Sequence, residues 1–148
     1  VQEALLDAGC YILPYLDLPK DHRHFKALQK IGATGLLRGE GRNVGWANQT
    51  WFRADDPLKA EEIFPEGYYN GHLPFPSGPV SVGGFTDALR MLGLRVPKEE
   101  QAWWEGLGLS DYDEGRDVTR LEAAVVIDDL IDPFMMFGVD YYGNVMLY

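Results

Sequence analysis

A near-duplication constrains this chain more than any other feature. Phe25, Ala27, Leu28, Ile31 and Gly32 recur in the second half as Phe85, Ala88, Leu89, Leu92 and Gly93. Each copy leads to two tryptophans, Trp46 and Trp51 or Trp103 and Trp104, and then to a second helix start, Pro57–Glu62 or Asp117–Glu122. Apolar residues three and four apart mark one buried helix face. Self-similarity at such a period is the mark of stacked units that bury a shared core. The expectation is a mainly α fold of two helix–loop–helix repeats with short β segments at the termini. Repeat one covers about 10–66, a Gly/Pro-rich linker about 67–79, repeat two about 80–134, and a hairpin or extended tail 135–148.

The local signals support this partition. Gln2–Ala8 carries helical spacing that Gly9 stops. Cys10–Leu18 is extended, because Pro14 and Pro19 exclude a long helix. Asp55, Asp56 and Pro57 give an N-cap and a first-turn proline, which predicts a helix from Pro57 to about Phe64. Thr119-Arg-Leu-Glu122 is a capping box ahead of an apolar helix to Ile131, which Asp132-Pro133 stops. Asp140-Tyr-Tyr-Gly-Asn144 reads as the turn of a terminal hairpin. The predicted core is Phe25, Leu28, Ile31, Phe85, Leu89, Leu92, Leu121, Val125 and Ile127.

Composition narrows the partners. With 46% hydrophobic residues the chain has ample apolar material for an interior. A formal charge of −10 with scattered basic residues disfavours nucleic acid and an anionic membrane surface. No run approaches the ~20 apolar residues of a membrane span. The single cysteine, Cys10, cannot form an intrachain disulfide and is expected as a buried structural thiol. A first residue Val1, already inside a helical pattern, leads to the expectation that the chain is a piece of a longer protein.

No complete catalytic constellation is legible. Asp111, Asp113 and Asp117, with Glu122 beyond, sit near the ligand spacing of a calcium loop. Gly115 and Arg116 break that pattern, and the capping box already uses Glu122. The weak metal candidate is thus read first as a solvated acidic loop. His22 and His24 are two apart and would lie on different faces of a helix. Gly32, Gly35, Gly39 and Gly41 follow neither the dinucleotide nor the P-loop pattern, and Asn48-Gln-Thr50 is read as an unmodified sequon. Trp46, Trp51, Trp103 and Trp104 suit either helix packing or a sugar-stacking face.

Two resemblances add to this reading. The cadence of aromatic, Ala, Leu, Gly-rich turn and Thr-Arg-x-Glu is similar to the S-layer homology module. Arg120 and Glu122 match its motif in the second unit, whereas Lys59 and Ala60 stand where Thr and Arg would stand in the first. That likeness implies a groove for cell-envelope polysaccharide to which Arg120 contributes, and a periplasmic or envelope location. The run Tyr11-Ile-Leu-Pro-Tyr, the stretch from Phe25 to Gly39 and the string Trp46-Ala-Asn-Gln-Thr-Trp-Phe resemble the C-terminal region of bacterial, Bacteroides-type FAD-dependent oxidoreductases. This second likeness implies a parent protein that binds FAD in an N-terminal catalytic domain. It places no cofactor and no catalytic residue on this chain, which is expected to act as an accessory domain against that partner.

Overall fold

The computed structural model describes residues 2–45, 47–63, 78–139 and 145–147. Helices α1 (Gln2–Asp7) and α2 (Phe25–Ala33) precede a hairpin of β1 (Glu40–Val44) and β2 (Ala47–Trp51). A 3-10 turn (Ala60–Glu62), α3 (Val82–Met91), α4 (Glu100–Gly106), α5 (Arg120–Ile131) and α6 (Pro133–Met136) follow. β3 (Phe137–Val139) and β4 (Val145–Leu147) pair antiparallel near the end. The expected turn over Asp140–Asn144 lies outside the described residues, as does most of the expected linker.

Three short extended segments, 57–59, 79–81 and 117–119, organise the centre. Each has a buried apolar middle residue: Leu58, Val80 and Val118. Their backbones close a cycle. Leu58 N–H donates to Val118 O at 2.8 Å, Val118 N–H to Val80 O at 2.9 Å, and Val80 N–H to Leu58 O at 3.2 Å. Two residues further on a second cycle runs in the opposite sense: Ala60 N–H donates to Gly78 O, Val82 N–H to Arg116 O, and Arg120 N–H to Asp56 O. Bridges Pro57–Thr119, Lys59–Pro79 and Ser81–Asp117 flank these bonds. Buried amides must find acceptors, and here three segments too short for a sheet satisfy one another.

Helices grow out of two of these segments. Ser81 Oγ accepts from Gly84 N–H and starts α3. Thr119 and Glu122 form the full capping box at the start of α5. Ala123, Ala124, Val125, Val126 and Ile127 are all buried, so α5 is apolar on every side and runs through the interior against α2. At its end Lys30 Nζ lies 2.8 Å from carboxylate oxygens of both Asp128 and Asp132. That ion trio fixes the corner before α6, where Asp132 adopts a left-handed φ of 38°.

Polar side chains pin the outer loops to this frame. Gln29 takes the amides of Ile12 and Leu13 on its carbonyl and donates to Leu13 O, which holds the 10–18 stretch on α2. The Asp17 carboxylate accepts the amides of Phe52 and Arg53, each at 2.8 Å, where the chain leaves β2. Gly39 is needed for a close approach: a Cβ there would lie 2.6 Å from the Trp51 carbonyl oxygen.

Several expectations are corrected. The fold mixes α and β and is not a mainly α pair of helix–loop–helix repeats, because a hairpin sits mid-chain and the cycle is built from extended segments. The helix expected from Pro57 is only a three-residue 3-10 turn, with Pro57 engaged in a bridge. Cys10 is exposed, beyond the end of α1. Leu92 and Leu121 are only partly buried, while Phe52 and Trp104 are core residues absent from the expected set.

Candidate functional site

A cavity of about 480 Å³ opens where the third segment meets the first. Arg120 forms its floor. Its Nε donates to Phe52 O at 2.9 Å and its Nη2 to Arg38 O at 2.5 Å, while Nη1 pairs with Glu62. The guanidinium also lies over the Phe52 ring, 5.3 Å from its centroid. Only 5% of Arg120 is exposed. Burial lowers its pKa, and the surrounding Tyr15, Asp56, Asp17 and Glu40 charges work in the opposite sense. Arg120 therefore ties β2, the stretch after α2 and the 3-10 turn to the start of α5, and its donors face inward.

The walls carry further charge. Arg53 and Glu40 form a 3.0 Å pair on one side. Arg38, Asp56 and Lys59 line the cavity with exposed side chains. Tyr15 stands behind the floor, 4% exposed and edge-on to Phe52. Burial pushes its hydroxyl up to about 12, moderated by the nearby Arg120 charge.

The candidate calcium loop is organised around a guanidinium. Arg116 Nε and Nη2 donate to Asp111 O at 3.2 and 2.8 Å, and Nη1 donates to Asp117 O at 3.1 Å. Both Glu122 oxygens accept from Arg116, at 2.7 and 2.8 Å, and one also accepts the Thr119 amide. Asp113 Oδ1 accepts the Gly115 amide. Asp111 has a left-handed φ of 56°. The loop thus holds Arg116 at its centre, and its acidic oxygens serve the capping box and the turn. Among the described residues no group of three or more His, Cys, Asp or Glu side chains converges as a metal site.

The tryptophans have separate surroundings. Trp104 is fully buried, edge-on to Tyr112, and donates to Ser110 O. Trp103 is half-buried and donates to Asp129 at 3.0 Å. Trp51 is half-buried, with the guanidiniums of Arg42 and Arg53 over its ring at 5.8 and 5.6 Å. Trp46 lies outside the described residues. The described three are therefore not brought onto one face, and Arg120 lines a cavity that none of them lines.

His22 and His24 serve their loop. His22 Nδ1 accepts the His24 amide, and His24 bonds the Gly108 backbone. Burial, then the His22 and Arg23 charges, hold His24 below the usual imidazole range. The cavity residues that sequence reading missed are Arg38, Asp56 and Lys59. They come from connections with no periodicity, and only the closing of the cycle assembles them. Among the described residues no helix is long and apolar enough to cross a membrane. Comparison with protein-family models, curated proteins and solved structures finds no match for this chain.

Proposed function

We propose that this chain is a non-catalytic accessory domain of an FAD-dependent oxidoreductase. It braces the flavin-bearing part, shapes the substrate entrance or mediates assembly. The observation that carries this reading is the inward commitment of the strongest chemical groups. Arg120, Arg116 and Lys30 each hold two or more chain segments together, and the histidines hold a loop. Side chains used in this way stabilise a scaffold rather than turn over a substrate. The resemblance of roughly the first 65 residues to the C-terminal region of such enzymes supports the parent activity.

Visible absorption tests this directly. The parent protein should purify with a flavin band, and this chain alone should be colourless when mixed with FAD and desalted. Stoichiometric flavin on the isolated chain would sink the reading.

A second reading, a module for cell-envelope polysaccharide, is favoured by the cavity over Arg120. It predicts that envelope polysaccharide changes the emission of Trp51, whose ring lies beside the cavity residue Arg53. Unchanged emission at saturating polysaccharide would count against it.

A further inference from the structure

We infer that the outer edge of β1 is a docking surface for a second copy of this chain, paired antiparallel about Gly41. The inference does not rest on the accessory-domain reading, and flavin on the isolated chain would leave it untouched.

The hairpin has one satisfied edge and one open edge. Thr50 O accepts from Leu16 N–H at 2.9 Å, and Phe52 N–H donates to the Asp17 carboxylate at 2.8 Å. Thr50 therefore turns its backbone polar groups away from β1, toward the stretch that bridges it through Tyr15. In an antiparallel pair, facing residues alternate between exchanging their hydrogen bonds and turning them outward. Gly41 lies opposite Thr50, and Asn43 lies opposite Asn48. Gly41 and Asn43 thus direct their N–H and C=O groups away from β2. Both are exposed, as are Glu40 and Arg42. Among the described residues, no hydrogen bond from outside the hairpin reaches Gly41 or Asn43. An edge of this kind is a template for another strand.

The charges select the occupant and its register. Glu40 and Arg42 flank Gly41 and share one face, since side chains two apart lie on the same side of a strand. A two-fold axis at Gly41 sets the glycines of two copies opposite each other, where their amides and carbonyls exchange two hydrogen bonds. Glu40 of each copy then stands opposite Arg42 of the other, which gives two cross-strand pairs of opposite charge. Moving the axis to Arg42 sets two guanidiniums against each other. Moving it to Asn43 leaves both charges without an opposite across the seam. The groups are available for this contact: the Glu40 and Arg42 side chains are 47% and 63% exposed, and their contact within one chain is a long 3.5 Å. The second Glu40 oxygen stays on Arg53 at 3.0 Å.

Sedimentation equilibrium of the chain, at concentrations up to about 1 mM, tests this. In about 0.15 M salt the mutual repulsion of two chains is screened beyond about 8 Å, so their formal charges of −10 do not mask a short contact. A short edge predicts a monomer–dimer equilibrium with a dissociation constant on the order of 0.1 mM. Gly41→Pro removes the outward N–H and places a ring on the edge. The hairpin has room for it, because a Cβ at Gly41 meets nothing nearer than Gln49 O at 3.9 Å. This variant should weaken the dimer about tenfold or more while the melting curve stays that of the parent. Glu40→Arg and Arg42→Glu should each keep a cooperative melt and stay monomeric, because each sets like charges across the seam. Their equimolar mixture should dimerise again, since the two variants are complementary to each other. A parent chain that stays monomeric at the highest concentration overturns the inference and leaves the edge to a strand of another protein. A dimer that survives Gly41→Pro, or a mixture of the two charge variants that stays monomeric, overturns it as well.

Discussion

The first and third extended segments share one backbone geometry and differ in everything attached to it. Each is flanked by two bridges, of which Pro57–Thr119 is shared, and each donates two residues on to a neighbouring segment. The third segment launches twelve residues of helix, and the first launches a single 3-10 turn. Thr119 and Glu122 cap the former reciprocally, whereas Lys59 cannot cap and Glu62 is drawn away to Arg120. Backbone pairing therefore sets where the segments meet. The side chains at the cap, and at the third position after it, set whether a helix or an open charged cavity follows.

The largest effect should come from breaking the junction between these two segments. Arg120→Ala strands Glu62 and two carbonyls and should cost about 3 kcal/mol, the low end for a buried pair because Glu62 keeps 30% of its side chain in water. Arg116→Ala breaks the corresponding pair on Glu122, but Arg116 is 24% exposed, so a cost of about 1 kcal/mol is expected. Urea midpoints of the two variants measure the contrast, and equal losses would erase the distinction between a dry and a wet junction.

Alkaline titration sharpens the same point. The Tyr15 hydroxyl titrates at about 12 in the fold, against an ordinary value of 10.0. The folded state thus holds this proton more tightly than the unfolded chain. Its contribution is fully present below pH 10 and disappears as pH rises through about 12. The loss should reach about 2–3 kcal/mol. Tyr15→Phe should lack this component, as read by denaturant midpoints across that window.

Gly39→Ala presses a methyl against the Trp51 carbonyl and the Tyr15 ring, both at 2.6 Å. Backbone cannot yield as a side chain can, so a loss of roughly 1–3 kcal/mol in thermal or urea unfolding is expected. The smallest pair of effects compares the caps. Thr119→Ala should cost about 1 kcal/mol, and Lys59→Ala less than about 0.5 kcal/mol. A large loss at Lys59 in the same unfolding assay would give it a structural role that the first segment does not display.

Legibility in the sequence followed the range of the interaction. The capping box of α5 was readable because Thr119 and Glu122 signal within four residues. The faces of α2 and α3 were readable because Phe25, Leu28, Ile31, Phe85 and Leu89 keep helical spacing over several turns. Segments 57–59, 79–81 and 117–119 were not readable, since three residues have no period and their bonds span 22 to 60 positions of chain. Asp55-Asp56-Pro57 even pointed the wrong way: a sound local helix start was overridden by the Pro57–Thr119 bridge. The cavity stayed hidden for the same reason. Arg38, Asp56 and Lys59 look like scattered surface charge until the cycle closes. Of the candidate residues, Arg120 was singled out by its motif, yet no local signal tells that its guanidinium turns inward.

Native-state hydrogen exchange at the amides of Leu58, Val80 and Val118 tests the closed cycle most directly. If the three segments hold one another, all three amides exchange only through global unfolding, with equal opening free energies that fall together in Arg120→Ala. Independent exchange of any one of them through a local opening would contradict the account.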